Sequence, residues 1–206
     1  DVYKRQAKLR AEIDDLKVGP GTDVANNMGP LITKAHYDKV RGYVDLGVDE
    51  GADLVVDGRD LVVDGHEEGY FLGPCLFDKV TAGMRIYEEE IFGPVLCVVR
   101  AESEEQAMQL IDDHEYGNGT CIFTRDGEAA RYFADNIKVG MVGINVPLPV
   151  PVAYHSFGGW KRSLFGDLYA YGPDSVRFYT RRKTITQRWP SGGVREKAQF
   201  SFPGRQ

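Results

Sequence analysis

Residues 95–146 read VLCVVRAESEEQAMQLIDDHEYGNGTCIFTRDGEAARYFADNIKVGMVGINV, and this stretch decides the fold class. Apolar runs at 95–99, 119–124 and 141–146 are typical of buried strands. The two segments between these runs place apolar residues three and four positions apart, as an amphipathic helix does. Strand, helix, strand, helix, strand is the order of right-handed βαβ units in a parallel sheet. The sequence therefore predicts an α/β fold, a parallel sheet with flanking helices.

Several helices have recognisable first residues. Ser103-Glu-Glu-Gln106 is a capping box, and Asp126 precedes the second predicted helix as an N-cap residue. Upstream, Thr33 predicts the start of a helix that has Val40, Tyr43, Val44 and Gly47 on one face. A short buried strand is predicted at 54–56.

The composition argues against several classes of partner. The chain has 206 residues, with 25 Lys and Arg against 31 Asp and Glu, and its formal net charge is -6. This balance predicts no nucleic-acid partner and no anionic membrane surface. No apolar run approaches the roughly 18 residues of a transmembrane helix, and no secretory signal is visible. Three widely spaced cysteines do not form a disulfide framework, so we expect a cytoplasmic protein.

The segment E-E-E-I-F-G-P-V, residues 88–95, leads into the first of the predicted strands. A carboxylate at the start of a buried strand is well placed to accept hydrogen bonds from vicinal sugar hydroxyls, as acidic residues do in dinucleotide sites. The alternative is an acidic turn whose carboxylates are solvated. The spacing by itself favours the solvated turn, so a nucleotide-binding role needs support from the rest of the chain.

The same segment resembles the E-E-I-F-G-P-V motif of the aldehyde dehydrogenase superfamily, and further family motifs stand in the family's order along the chain. These motifs are Gly69-Tyr-Phe-Leu-Gly-Pro74, Tyr116-Gly-Asn-Gly119, Gly143-Ile-Asn145 and Phe157-Gly-Gly-Trp-Lys-Arg-Ser163. The resemblance implies that Glu90 and Phe92 contact the nicotinamide ribose of NAD. It also implies that Phe157 forms part of the substrate pocket, with plain packing beneath a Gly-Gly turn as the alternative.

The resemblance also implies how the chain is divided. Residues 1–175 correspond to the C-terminal part of an aldehyde dehydrogenase catalytic domain, 176–190 to an oligomerisation strand segment, and 191–206 to a polar tail. Within the middle segment, 176–180 and 183–189 are predicted to be extended, the second as an edge strand that awaits a partner. We expect the full-length protein to be a homo-oligomer, a dimer or a tetramer.

One departure from the family pattern indicates a subgroup. Most members continue the F-G-G loop as S-G-x-G-R-E, whereas this chain has Ser163-Leu-Phe-Gly-Asp167. Together with 145–151 and 178–189, this stretch resembles the CoA-acylating, NAD-dependent branch of the family. That branch implies a small semialdehyde substrate that loses carbon dioxide, with NAD as cofactor and CoA as co-substrate. Two alternatives stay open: a hydrolytic member that uses water in place of CoA, and a non-catalytic interaction domain.

The nucleophile that such chemistry needs is not evident in this chain. Cys75 follows Gly-Pro in an extended run, and Cys97 and Cys121 lie inside apolar strands, whereas a reactive thiolate needs an electropositive, partly exposed setting. We interpret all three as structural and expect an inactive C-terminal portion whose catalytic cysteine lies upstream. The four histidines lack metal-ligand spacing, so no metal site is predicted. For His155 and Arg162, a solvated position is a simpler interpretation than a substrate contact.

Overall fold

The computed structural model describes residues 2–187 and residue 189. The helices are α1 (Val2–Asp14), α2 (Lys34–Asp49), α3 (Arg85–Glu88), α4 (Glu104–Asp113), α5 (Gly127–Asn136) and α6 (Asp174–Tyr179). The strands are β1 (Asp53–Val56), β2 (Cys75–Val80), β3 (Val95–Val99), β4 (Tyr116–Gly117), β5 (Gly119–Ile122), β6 (Met141–Ile144) and β7 (Trp160–Lys161). No helix in this described part is both long and apolar enough to cross a membrane.

The strands of the described residues form three small sheets, with the orders β1-β2-β3, β4-β7 and β5-β6. β2 runs parallel to β3, with Cys75 opposite Val95, and β1 runs antiparallel to β2. β5 and β6 are also parallel, and α5 connects them. Parallel strand pairs with helical connections confirm the predicted α/β fold class.

The three strands predicted between residues 95 and 146 do not belong to one sheet, as was expected of them. β3 has β2 as its partner, so the strand at 95–99 is not paired with the one at 119–122. Hydrophobic periodicity identifies which residues form a strand, but it does not identify the neighbour of that strand. β2 is buried at five of its six positions, as a parallel strand covered on both faces must be. β5 and β6 also end earlier than the predicted limits of 124 and 146.

The predicted helix caps are confirmed. The side chain of Thr33 accepts a hydrogen bond from the amide of His36 at 3.2 Å, and Ser103 Oγ accepts one from the amide of Gln106 at 3.2 Å. Asp126 accepts hydrogen bonds from two amides in the first turn of α5. Each of these bonds satisfies an amide that the start of a helix leaves without an intrahelical partner. The starts of α2, α4 and α5 therefore follow from local sequence.

Two hydrophobic clusters support the sheets. In the larger one, Val40 and Val44 of α2 are fully buried and pack with Phe77 of β2. Gly47 is required at this contact, because a Cβ there would lie 2.8 Å from the ring of Phe77. Ile86 belongs to the same cluster and so anchors α3, which leads into the acidic segment. The smaller cluster lies under α4 and α5 and consists of Met108, Phe133, Ile137 and Val139.

The C-terminal segment differs from the prediction. Residues 176–180 were expected to be extended, but α6 covers 174–179, so that expectation is wrong. Five residues of mixed polarity are too few for periodicity to separate a strand from a turn and a half of helix. Residues 181–187 and 189 belong to no strand of the described chain. The oligomerisation role of 176–190 stays a prediction, and the predicted tail at 191–206 lies outside the described residues.

A buried ion pair crosses the central sheet. Asp78 of β2 is 1% exposed, and its carboxylate accepts hydrogen bonds from Arg100 Nε at 3.0 Å and from Gln6 Nε2 of α1 at 2.9 Å. The hydrogen bonds from Arg100 lower the pKa of Asp78 from its ordinary value of 3.8. A carboxyl group whose pKa is lower in the folded state stabilises the fold at neutral pH. This stabilisation is lost as the pH falls below the ordinary value.

We expect Asp78→Asn to lower the free energy of unfolding by about 3 kcal/mol, because Arg100 then loses its buried counter-charge. The measurement is urea denaturation of the chain near neutral pH. Asp53→Asn is the matched control, since Asp53 of β1 and Lys79 of β2 form an ion pair in the same sheet with half-exposed side chains. The control should cost less than about 1 kcal/mol. Equal losses in the two variants would contradict a special role for the buried pair.

Candidate functional site

The three glutamates at 88–90 have different environments. Glu89 accepts a hydrogen bond from Arg85 Nε at 2.7 Å and another from the hydroxyl of Tyr43 on α2. These two donors lower the pKa of Glu89, with Arg85 making the larger contribution. The carboxylate of Glu89 is therefore committed to holding α3 against α2. Glu88, the last residue of α3, is exposed.

Glu90 has a free carboxylate. Among residues 2–187 and 189 it has no hydrogen-bond or ion-pair partner, and it is exposed. It borders a cleft of about 510 Å³. The residues that line this cleft are Tyr87, Glu88, Glu89, Glu90, His114, Tyr116, Asn118, Arg162 and Ser163. An unpaired carboxylate at the edge of a cleft is available to accept hydrogen bonds from a ligand.

Phe92 projects from a tight turn two residues after Glu90, and it is not among the residues that line the cleft. Its φ of 57° is in the left-handed region, and its side chain is 70% exposed. The next residue must be glycine, because a Cβ on Gly93 would lie 2.5 Å from the side chain of Val40. His36 Nε2 lies 2.7 Å from the carbonyl oxygen of Phe92, and the two rings are in edge contact at 6.1 Å. Since a carbonyl only accepts, Nε2 carries the proton of this bond.

His36 was missed by the sequence analysis as a residue of this site. Its contact with Phe92 spans 56 positions in the chain. Three residues after the N-cap Thr33, His36 has no feature in the sequence that separates it from an ordinary helix-end histidine. No local signal therefore identifies the contact.

The F-G-G loop, residues 157–163, forms the opposite side of the cleft. The amide of Arg162 donates to the carbonyl oxygen of Glu115 at 3.2 Å, and the amide of Gly117 donates to Ser163 Oγ at 3.1 Å. Gly159 permits this approach, since a Cβ there would lie 2.4 Å from the Cβ of Ser163. Arg162 is largely exposed, as expected, but it lines the cleft and pairs with the carboxylate of Glu115.

Phe157 is not brought to the cleft that Glu90 lines. Its half-buried ring stacks on Tyr171, with ring centroids 4.8 Å apart and an angle of 11° between the planes. The structure thus brings Glu90 together with the far end of the F-G-G loop, represented by Arg162 and Ser163. The substrate role of Phe157 stays a prediction.

Cys75 and Cys97 have the environments of structural thiols, and Cys121 is half-buried in β5. Cys75 is 1% exposed, and burial raises its pKa. Burial also raises the pKa of Cys97 to about 11. A thiol with a raised pKa has little thiolate at neutral pH, which is the reverse of what a nucleophile requires. In the part of the chain that the structure describes, no three His, Cys, Asp or Glu side chains come together as a metal site.

The carboxylate of Glu90 is open to hydrogen-bond donors, and the exposed ring of Phe92 offers an apolar surface two residues further along the chain. A second cleft of about 520 Å³ has four lining residues in common with the first, namely Tyr87, Glu88, Glu89 and His114.

Comparison with protein families assigns the class. A model of the aldehyde dehydrogenase family matches residues 2–185. The chain therefore belongs to the aldehyde dehydrogenase family, as its motifs indicated.

The matches to individual relatives are more specific than the match to the family. The chain is 71% identical over 197 residues to the malonate-semialdehyde dehydrogenase of Pseudomonas aeruginosa, covering 96% of the chain and 40% of that protein. It is 45% identical over 185 residues to the malonate-semialdehyde dehydrogenase of Bacillus subtilis, covering 90% and 37%. The chain thus spans about two fifths of the length of the curated relatives it matches.

Solved structures that resemble the chain have names similar to those of the curated relatives. The crystal structure of methylmalonate-semialdehyde dehydrogenase from Oceanimonas doudoroffii has 67% identity and a TM-score of 0.88, covering 93% of this chain and 39% of that one. A putative methylmalonate-semialdehyde dehydrogenase from Sinorhizobium meliloti, solved in complex with NAD, has 55% identity and a TM-score of 0.90. That match covers 95% of this chain and 40% of the other.

The raised pKa of Cys97 predicts slow alkylation. A shift from the ordinary 9.0 to about 11 lowers the thiolate fraction near neutral pH about a hundredfold. We expect iodoacetamide to modify Cys97 at least about a hundredfold more slowly in the folded chain than in urea, as measured by peptide mass spectrometry. Rapid modification of folded Cys97 near neutral pH would contradict a structural role.

We expect His36→Ala to loosen the turn at Phe92, because the carbonyl oxygen loses its donor. The measurement is the rate of chymotrypsin cleavage after Phe92, which should rise about fivefold for the loss of one hydrogen bond. Cleavage after Phe165, which is 98% exposed, provides an internal reference in the same sample. An unchanged ratio of the two cleavage rates would show that His36 does not hold the turn.

Proposed function

We propose that this chain is the C-terminal portion of a CoA-acylating, NAD-dependent methylmalonate- or malonate-semialdehyde dehydrogenase. Such an enzyme converts the semialdehyde oxidatively to propionyl-CoA or acetyl-CoA with loss of carbon dioxide. The substrate class is supported by the names of relatives that are 45% to 71% identical to the chain. The use of NAD is supported by the NAD complex of a relative that is 55% identical.

The observation that carries the cofactor role is the difference between Glu89 and Glu90. Glu89 is occupied by Arg85 and Tyr43, whereas Glu90 has no partner among the described residues and stands at the cleft. The hydrogen bonds from Arg85 and Tyr43 occupy most of the roughly four acceptor sites of the Glu89 carboxylate, whereas those of Glu90 are open. Glu88 also has no side-chain partner among the described residues and lines the same cleft, so the family motif, together with this geometry, directs ribose binding to Glu90, with Phe92 two residues further on.

In the proposed enzyme, this portion binds and orients, and does not attack the substrate. When bound, NAD accepts the hydride that oxidation of the aldehyde releases. Glu90 would hold the ribose through its carboxylate, and Phe92 would contact the same end of the cofactor. The nucleophilic thiolate would come from upstream sequence, since Cys75 and Cys97 have raised pKa values. The chain alone would therefore be inactive.

The proposal extends to the setting of the enzyme. Three free cysteines fit a reducing cytoplasm. Residues 176–190 would pair with a second subunit in a homo-oligomer, a dimer or a tetramer. Phe157 would face the aldehyde after the upstream part of the protein is added.

A hybrid enzyme tests the proposal. The matching 197-residue segment of the Pseudomonas aeruginosa relative is replaced by this chain, and NADH formation from malonate semialdehyde is followed with NAD and CoA. We expect NADH and acetyl-CoA in equal amounts, and none from the 206-residue chain alone. NADH without a CoA thioester would support the hydrolytic alternative. A folded hybrid that forms no NADH would overturn the dehydrogenase proposal.

Glu90→Gln tests the site within this hybrid. The amide lacks the negative charge that strengthens hydrogen bonds from ribose hydroxyls, so we expect KM for NAD to rise about tenfold. KM for the aldehyde should stay the same, because the change affects only the cofactor end of the cleft. Steady-state kinetics with each substrate varied in turn separates the two constants.

Glu88→Gln is the matched comparison, because it removes the same charge from the same cleft two positions away. We expect a change in KM for NAD of less than about threefold, as a general electrostatic effect predicts. Equal effects of the two substitutions would remove Glu90 from its specific role and leave only the overall charge of the cleft.

A further inference from the structure

The carboxyl end of α4 is closed by a side chain from the F-G-G loop. Lys161 Nζ lies 3.0 Å from the carbonyl oxygen of Ile111, 2.9 Å from that of Asp112 and 3.1 Å from that of His114. An ammonium group has three N–H donors, and here each has a carbonyl acceptor. The last turn of α4 contains no basic residue. Lys161 therefore supplies the donors and the positive charge that the end of a helix favours.

The backbone at Lys161 is held in place as well. β7 pairs with β4, so that Lys161 lies opposite Tyr116. The side chain of Lys161 packs against Gly117, where a Cβ would lie 3.2 Å from Cδ of Lys161. The φ of Lys161 is 52°, in the left-handed region that residues with a Cβ disfavour. Surrounding contacts must stabilise this conformation, and the three carbonyl bonds are the strongest of these contacts.

His114 connects this helix end to the acidic segment. The amide of Tyr116 donates to His114 Nδ1 at 3.2 Å, so the ring proton lies on Nε2. Nε2 then donates to the carbonyl oxygen of Tyr87 in α3 at 3.3 Å, and the two rings are in edge contact at 5.3 Å. Tyr87 is three residues before Glu90. A series of contacts thus runs from Lys161 through His114 to Tyr87, at the start of the segment that carries Glu90.

We propose that Lys161 is a positioning residue that fixes the cleft wall formed by His114 and Tyr116 relative to Glu90. It does not line the cleft that Glu90 borders. It acts by holding the carbonyl oxygen of His114, and thereby the imidazole that contacts Tyr87. Its effect on the cofactor rests on the proposed function, whereas its effect on the cleft wall does not.

Amide hydrogen exchange of the 206-residue chain tests the effect on the wall. Lys161→Met keeps the length of the side chain and removes the donors, so exchange at Tyr116 and Gly117 should become roughly tenfold faster or more. Lys161→Arg should give an intermediate rate, because a planar guanidinium does not direct N–H groups at three converging carbonyl oxygens.

Lys138→Met is the matched control. The ammonium of Lys138 lies 3.3 Å from the carboxylate of Asp112, at the same end of α4, but its side chain is 69% exposed. Its loss should leave exchange at Tyr116 and Gly117 unchanged. Parental exchange rates in Lys161→Met would overturn the proposal. If that variant does not fold, parental rates in Lys161→Arg would show that charge alone suffices, which would also overturn it.

The hybrid enzyme tests the effect on the cofactor. Titration with NADH should give a Kd at least about fivefold higher for Lys161→Met, while KM for the aldehyde changes less than about twofold. A merely structural role would reduce the amount of folded enzyme and leave the Kd of the folded fraction unchanged, and that result would overturn the cofactor effect. A parent hybrid that binds no NADH would overturn the proposed function, and the exchange rates would still decide the role of Lys161 in the wall.

Discussion

The parallel pairing of β2 with β3 is the constraint on which the rest of the described structure depends. It buries Asp78 in the centre of a sheet, where an isolated charge is strongly unfavourable, and Arg100 after β3 supplies the counter-charge. Gln6 connects α1 to the same carboxylate, so helix and sheet share one polar centre. The pairing also places the start of β3 against α2. The acidic segment that precedes β3 is therefore held in one position.

That position explains why the three adjacent glutamates differ in their hydrogen-bond partners. Arg85 and Tyr43 take up Glu89, which fixes the short helix α3, and the chain then turns sharply at Phe92 with its carbonyl oxygen held by His36. Glu90 stands between these two anchors with no partner in the described residues. A carboxylate that is held in position but unsatisfied is suited to ligand binding, because little further ordering is needed when the ligand arrives.

The sequence predicted the features that depend on neighbouring residues. The bounds of β3, the cap at Ser103 and the parallel unit of β5 and β6 follow from short-range patterns, and the structure has them. It did not predict the partner of β3, because strand pairing depends on residues far apart in the chain. It also failed at α6, where five residues fit two periodicities. The family motifs located the cleft residue Glu90, but they did not place Phe157, whose ring stacks on Tyr171.

The sequence by itself determined the fold class and the family, and its motifs predicted a nucleotide-binding role for Glu90. Only the tertiary structure decided which of the three carboxylates is bound by protein donors, since that depends on Tyr43, a residue 46 positions away from Glu89. The closing of α4 by Lys161 is likewise a contact across 47 to 50 positions. Propensity and periodicity act over one or two turns of chain, whereas hydrogen-bond donors reach their acceptors through space. Whether a side chain is free or paired therefore depends on tertiary packing.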